Sequence, residues 1–483
     1  MQYKTILRLI GLLLVLFSFT MLPPLFINVI FSEAIWLPFI VPFVLTLSIG
    51  SLLWFTNRHQ HNLLKIREGF LIVVILWFAT SFFASLPFLL FKDFPHTMTD
   101  AIFETVSGLT TTGAAVFTTL DDLPHTILYY RQQLQFIGGM GIIILAVAIF
   151  PMLGMGGTQL FRVDTTGPKK DNKLTPRITQ TAKVLWMIYS LATLSCACCY
   201  WYCGMDWFYA IGESFATVST GGFSMHDESF LYYHSPAIQV IACIFMLIGS
   251  VSFSLHFLAF QQHNWRLYWQ DEELRFYIKS LTLMVALIVG TMMWQHYDQS
   301  NPARWIETVF MIISLSTTTG FTLVSFDHWP TFIPILIIFM SLIGGCAGSS
   351  TGGLKVLRLM LVGKHSTREF ARLVHPQATL TVKMDQHTVP ESIIQSVTGY
   401  VCLFLGLFAL LILIFMSFGN NFLSSFSSVA AGLANSGTGV GAISHDFSGL
   451  NTSSKWLIIL SMIIGRLELY PLFILFTRPF WQK

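Results

Sequence analysis

Ten long apolar runs alternate with polar connections along the chain, at roughly 5–30, 36–56, 69–91, 127–154, 180–203, 233–262, 276–297, 331–363, 392–418 and 454–478. Each holds the roughly 20 largely apolar residues that a bilayer-spanning helix needs. Several are longer than a straight span requires, which predicts tilted or broken helices. Four of the connections carry helical apolar spacing over about 13 residues, too few to cross a bilayer, and then end in a small polar turn. The turns read LTTTGA (Leu109 to Ala114), VSTGGF (Val218 to Phe223), STTTGF (Ser316 to Phe321) and ANSGT (Ala434 to Thr438). A stretch of that kind re-enters the membrane, where irregular backbone is tolerated only if it lines a cavity or is buried in protein.

Composition agrees: 54% of residues are hydrophobic and 11% charged, against about 25% charged in a soluble globule. The net charge of +3 decides little, but its distribution decides orientation. Loops 57–68, 155–183, 263–279 and 355–391 hold 18 Lys or Arg, whereas 92–126, 204–232, 298–330 and 419–453 hold only Lys92 and Arg304 against 13 acidic residues. Because Lys and Arg stay on the cytoplasmic side, both termini are predicted in the cytosol and all four turns on the outer face. Lys4 and Arg8 before the first run resemble a signal peptide, but no cleavage site follows, so a retained helix is predicted.

The turns belong to a repeat. Asp100 to Ala114 (DAIFETVSGLTTTGA) and Tyr209 to Phe223 (YAIGESFATVSTGGF) align on Gly113 and Gly222, superposing Ala101 on Ala210, Ile102 on Ile211 and Glu104 on Glu213 without a gap. The third copy keeps Thr-Thr-Gly-Phe, and the fourth keeps only a small polar pattern. The predicted fold is therefore an all-α polytopic membrane protein, with a fourfold pseudo-symmetric helix, pore-helix, filter, helix repeat after an N-terminal helix pair. The predicted units are 1–68, 69–154, 155–262, 263–364 and 365–483. Glycine lets successive carbonyls turn to one side, Thr and Ser add hydroxyl oxygens, and the negative C-terminal end of each short helix favours a cation. One TTTG is a turn between helices; four at one place in the unit read as a cation pathway.

Further features bear on chemistry. The eighth run is interrupted by GGCAGSSTGG (Gly344 to Gly353), where each glycine costs a helix up to about 1 kcal/mol relative to alanine; either the helix breaks or small residues allow close packing. Arg466 lies within the last run, where insertion costs about 2.5–3.5 kcal/mol. It faces a pathway, or it pairs with Glu468 or another unit's carboxylate; Glu468, two positions on, points off another face. Glu104 and Glu213 either support the turns by hydrogen bonds or line a hydrated rim, and Arg131 is read as snorkelling to water. Cys196, Cys198, Cys199 and Cys203 share one run and are read as reduced thiols packing between helices, rather than a soft-metal face of Cys196, Cys199 and Cys203.

With these motifs in place, the chain resembles the Trk/Ktr/HKT superfamily of potassium-uptake proteins, the bacterial TrkH/TrkG type, over essentially all its 483 residues. The resemblance implies a filter glycine at Gly113, Gly222, Gly320 and Gly437 and therefore potassium, since plant relatives with serine at the first position tend to favour sodium. It places ion-facing oxygens on Thr110, Thr111 and Thr112; Ser219, Thr220 and Gly221; Thr317, Thr318 and Thr319; and Asn435 and Ser436. The fourth set departs most from the pattern. It makes Gly344, Gly345, Gly348, Ser349, Ser350, Thr351, Gly352, Gly353 and Lys355 an intramembrane gate, with Arg466 narrowing the conduit.

It further implies a bacterial inner-membrane location, a homodimer, and a separate cytosolic nucleotide-binding regulatory subunit. The basic stretches Arg162 to Lys183 and Lys355 to Arg372 dock that subunit, satisfy the topology rule, or touch anionic membrane lipid. Potassium is the transported ion, with no organic cofactor expected. The GGMG at Gly138 to Gly141 and GMGG at Gly154 to Gly157 lack the strand and acidic partner of a nucleotide site. No regulatory domain, enzyme motif or nucleic-acid partner is expected. The rival readings are a secondary transporter of a small solute, a weakly selective sodium and potassium transporter, and a non-transporting scaffold.

Overall fold

Two glycines draw the first helices together. In the computed structural model, which describes residues 1–59, 66–91, 97–144, 174–295, 303–324, 329–330, 332–385, 387–444 and 446–482, α1 (Tyr3–Ser18) crosses α3 (Leu37–Thr56) at Gly11 and Gly50. A Cβ on Gly11 would lie 2.7 Å from the Gly50 carbonyl oxygen. Lipid is as apolar as leucine, so helices in a bilayer associate by such close approach and by polar contacts. Between them, α2 (Pro23–Phe31) follows a single tight turn at Phe19–Met21, so the first predicted span is interrupted where Pro23 and Pro24 begin a new helix.

The same order then recurs four times. The first unit is α4 (Ile66–Leu90), the short α5 (Met98–Leu109) and α6 (His125–Ile144). The second is α7 (Leu174–Tyr202), the short α8 (Trp207–Val218), α9 (Pro236–Ser250) and α10 (Phe253–Gln261), with α11 (Arg266–Gln270) leading on. The third is α12 (Glu272–Trp294), the short α13 (Ala303–Ser316), α14 (Phe332–Ile343) and α15 (Val356–Val374). After a two-residue antiparallel pair, β1 (Lys383–Met384) and β2 (His387–Thr388), the fourth is α16 (Glu391–Ser417), the short α17 (Phe422–Ala434), α18 (Thr452–Leu467) and α19 (Leu469–Phe473), followed by α20 (Arg478–Trp481). The short helices run 12 to 14 residues, about 20 Å at 1.5 Å per residue, and cannot cross a bilayer core of about 30 Å.

Among the described residues six helices are long and apolar enough to span, or eight with two bent pairs. The sixth and tenth predicted spans are those pairs: α9 and α10 meet at 91°, and α18 meets the following segment at 110°. The eighth breaks at the predicted glycine run. The fourth is followed only to Ile144; residues 145–154, the run Gly154 to Gly157, the Arg162 end of the predicted docking loop, Lys92 and the Arg304 side chain lie outside the described residues.

Candidate functional site

Each short helix terminates in the same way. The amides of Thr111, Thr220, Thr318 and Asn435 donate to the carbonyls of Gly108, Thr217, Leu315 and Gly432 at 3.0, 3.2, 3.1 and 3.2 Å, and those of Thr112, Gly221, Thr319 and Ser436 reach back to Ser107, Ala216, Ser314 and Ala431 at 2.8, 2.8, 2.8 and 3.0 Å. This is a Schellman ending, which requires a left-handed residue. Here that residue is Thr111 (φ 49°), Thr220 (52°), Thr318 (55°) or Asn435 (53°). A β-branched threonine in that conformation is strained, so three of the four turns keep a hydroxyl where glycine would be easier. Two positions later Gly113 (82°), Gly222 (79°), Gly320 (88°) and Gly437 (68°) are left-handed too. The fourth turn, least like the others in sequence, has the same backbone.

The four turns close into a ring. A Cβ on Gly113 would strike the carbonyl oxygen of Gly221; on Gly222, that of Thr319; on Gly320, that of Ser436; and on Gly437, that of Thr112. Each glycine therefore faces the residue just before the next unit's glycine, first to second to third to fourth and back to first. Asn435 Nδ2 also donates to Thr112 Oγ1 at 2.9 Å.

Side chains on the short helices pin the exit of each turn. Three positions beyond each glycine, the amides of Val116, Met225, Leu323 and Val440 meet Glu104 Oε2 (2.8 Å), Glu213 Oε1 (2.8 Å), Met311 Sδ (3.4 Å) and Ser427 Oγ (2.7 Å). Of the two readings of Glu104 and Glu213, hydrogen-bonded support is the one observed. Arg131 does not snorkel to water. It is fully buried and ion-paired with Glu104 at 2.7 Å, donates to the Ser224 carbonyl at 3.2 Å, and stacks 4.3 Å from the Phe223 ring centre. Gln132 and Gln135, on the same helix, donate to the carbonyls of Phe223 and Gly221 at 2.8 and 2.7 Å. The polar run Arg131, Gln132, Gln135 inside an apolar helix was the available signal for this brace. Lys455 of α18 likewise ties the fourth unit to the first through Asp100, at 2.7 Å.

Above the ring lies a cavity of about 270 Å³ with all four glycines in its lining. Asp227, Asp446 and His226 contribute to its wall, where His226 Nδ1 lies 2.6 Å from Asp121 and Asp227 accepts the Leu120 amide at 2.8 Å.

Below the ring, residues 344–355 form a loop with left-handed Gly344, Gly348, Gly353 and Lys355. The bend between α9 and α10 frees the backbone groups that hold this loop. Cys346 and Ser350 amides donate to the Ser250 and Gly249 carbonyls at 3.0 and 3.2 Å, and Phe253 donates to Gly348 at 3.1 Å. The buried Glu273 accepts the Ala347 amide at 2.7 Å. The loop then meets three of the turns at the strained residue or its neighbour, and reaches the first through Arg466 of α18. Gly352 N donates to Thr318 Oγ1 at 2.8 Å; the Ser350 and Thr220 hydroxyls lie 3.2 Å apart; a Cβ on Gly352 would strike the Ala434 carbonyl; and Arg466 bridges Thr111 Oγ1 and the Ser350 carbonyl, the latter at 2.6 Å. Lys355 Nζ donates to the Thr351 carbonyl and hydroxyl. Glu468 is not the partner of Arg466: it pairs with Arg358 at 2.5 Å. Among the described residues no cluster of three or more His, Cys, Asp or Glu side chains is arranged to hold a metal ion.

Fold and site together define a helical membrane protein built on four copies of one re-entrant unit. A family model described as a cation transport protein, TrkH, matches residues 38–483. The chain is 45% identical over 485 residues to the Trk system potassium uptake protein TrkH of Escherichia coli (strain K12), covering 100% of both chains. It is 36% identical over 480 residues to the Trk system potassium uptake protein TrkG of the same strain, covering 99% of each. The crystal structure of the potassium transporter TrkH from Vibrio parahaemolyticus matches with a TM-score of 0.92 at 42% identity over 100% of each chain. The chain belongs to the TrkH cation transport family.

Proposed function

We propose that this chain takes up potassium across the bacterial inner membrane, through a channel-like path framed by the four turns. The observation that carries the reading is the ring of Gly113, Gly222, Gly320 and Gly437, each against the next unit's backbone. Alternation of left-handed and ordinary residues brings successive carbonyls to one side of each turn, where they replace the water of a monovalent cation. The C-terminal ends of α5, α8, α13 and α17 run into the turns and add negative potential. The ion ligands are the backbone and hydroxyl oxygens of Thr110 to Thr112, Ser219 to Gly221, Thr317 to Thr319, and Asn435 with Ser436.

An ion enters the outer cavity, sheds water at the ring, and beneath the ring meets Arg466 and the loop Gly344 to Gly353. Passage requires that loop to withdraw and Arg466 to release Thr111 and Ser350. With both termini cytosolic, the membrane potential drives uptake by about 2.3 kcal/mol per charge per 100 mV. The units of this pathway are 69–154, 155–262, 263–364 and 365–483, with 1–68 as the N-terminal pair. The working form is a homodimer whose gate answers to a cytosolic nucleotide-binding subunit, by analogy with a transport system of several components. Flux through purified protein in liposomes, with potassium competed against sodium and rubidium, tests the reading. Potassium and rubidium are expected to pass and compete while sodium does not; equal passage of sodium, or no cation flux, would overturn it.

A further inference from the structure

A groove of about 880 Å³ lies between the start of α12 and the length of α15, outside the ring, the loop and the outer cavity. Its floor is apolar, with the exposed side chains of Phe276, Leu359 and Leu380. Its walls are cationic, with Arg275, Lys279 and Lys383. Two other cations there are already neutralised: Lys364 pairs with Glu272, and Arg368 with Glu369 and Glu391 at 2.8 and 2.6 Å. Among the described residues Lys279 and Lys383 have no carboxylate partner. Lys279 stands seven residues inside α12, a spanning helix, or about 10 Å along its axis, so its ammonium must reach outward to the headgroup layer. An apolar floor continuous with a membrane-facing helix, roofed by unneutralised cations at headgroup depth, is complementary to one kind of molecule.

We infer that this groove binds an anionic phospholipid of the cytosolic leaflet, its acyl chain on Phe276, Leu359 and Leu380 and its phosphate between Lys279 and Lys383. The position has a consequence. Glu273 on α12 holds the Ala347 amide of the loop, and α15 leaves the loop directly after Lys355. A lipid bridging α12 and α15 joins both anchors of the loop and favours the closed arrangement, a consequence that rests on the potassium-conduction reading.

The test uses full-length protein exchanged into vesicles of phosphatidylcholine with graded phosphatidylglycerol, and the lipid retained after extraction is measured by native mass spectrometry. Each lysine near an anionic surface contributes about fivefold in affinity, so K279Q/K383Q is expected to retain roughly 25-fold less phosphatidylglycerol. Phosphatidylcholine retention is unchanged, and K279R/K383R, which keeps the charge, binds as the parent does. Arg58→Gln, which removes an exposed cation at the end of the N-terminal pair, has no effect. Equal phosphatidylglycerol retention by K279Q/K383Q and the parent overturns the site. So does unchanged lipid retention with lost binding of a soluble regulatory subunit, which would assign the groove to protein docking. In the flux arm, rising phosphatidylglycerol lowers potassium passage in the parent and not in K279Q/K383Q. Absence of flux in the parent would count against the conduction reading and leave the retention result standing.

Discussion

On the proposed gating role, removal of the Arg466 side chain should open the path. Its guanidinium joins Thr111 Oγ1 of the first turn to the Ser350 carbonyl of the loop, so it is both a tether and a fixed charge. Each hydrogen bond from a charged donor contributes about 1.5–3 kcal/mol, and both are lost in Arg466→Ala. A potassium ion passing about 6 Å from the guanidinium, at an effective dielectric constant of about 20, meets a repulsion of about 3 kcal/mol. Removing that charge alone should raise flux on the order of 100-fold. Arg466→Lys keeps the charge but not the planar fork, and its flux should fall between the two. Glu468→Gln should not imitate Arg466→Ala, because Glu468 pairs with Arg358 instead. The assay is initial-rate rubidium uptake into potassium-loaded proteoliposomes, with protein content and melting temperature matched. Flux through folded Arg466→Ala at or below the parent level would refute the blocking role.

Other outcomes follow from the brace and the ring. Glu104→Ala leaves Arg131 buried without its partner, and is expected to cost about 3–5 kcal/mol of stability. It should also blur potassium against sodium discrimination; a thermal melt and competition flux unchanged from the parent would contradict the brace. Gly437→Ala puts a methyl group on the Thr112 carbonyl at a left-handed residue, so the divergent fourth turn should tolerate it no better than the first tolerates Gly113→Ser. Both variants should lose selectivity in the same flux assay, and a selective Gly437→Ala would remove the fourth turn from the ion path.

The spans, the four turns and the glycine break were legible because each is a local pattern: an apolar run, a short helical spacing, a cluster of helix-breaking residues. The fourth turn looked irregular in sequence because Ala434, Asn435 and Ser436 stand where the first turn has Thr110, Thr111 and Thr112, with Asn435 at the left-handed position. Asparagine adopts the left-handed conformation more readily, and the backbone is the same. The bend between α9 and α10 was not legible, since neither Val251 nor Ser252 breaks helices. It is stabilised by Cys346, Gly348 and Ser350, about 100 residues away in the chain. Arg131 was misread for the same reason. Local position at a helix start suggested snorkelling, while its partner Glu104 lies 27 residues earlier on a different helix. The pairing of Glu468 with Arg358 spans 110 residues and could not be read from Arg466 next to it.

If the four re-entrant turns form the proposed potassium path, a dehydrated monovalent cation sits where they meet. Diffraction from crystals grown in rubidium, at a wavelength that makes rubidium scatter anomalously, tests this most directly. An anomalous peak enclosed by the backbones of Thr111 to Gly113, Thr220 to Gly222, Thr318 to Gly320 and Asn435 to Gly437, lost when sodium replaces rubidium, is the predicted result. An empty ring with rubidium bound elsewhere in the membrane region would contradict it.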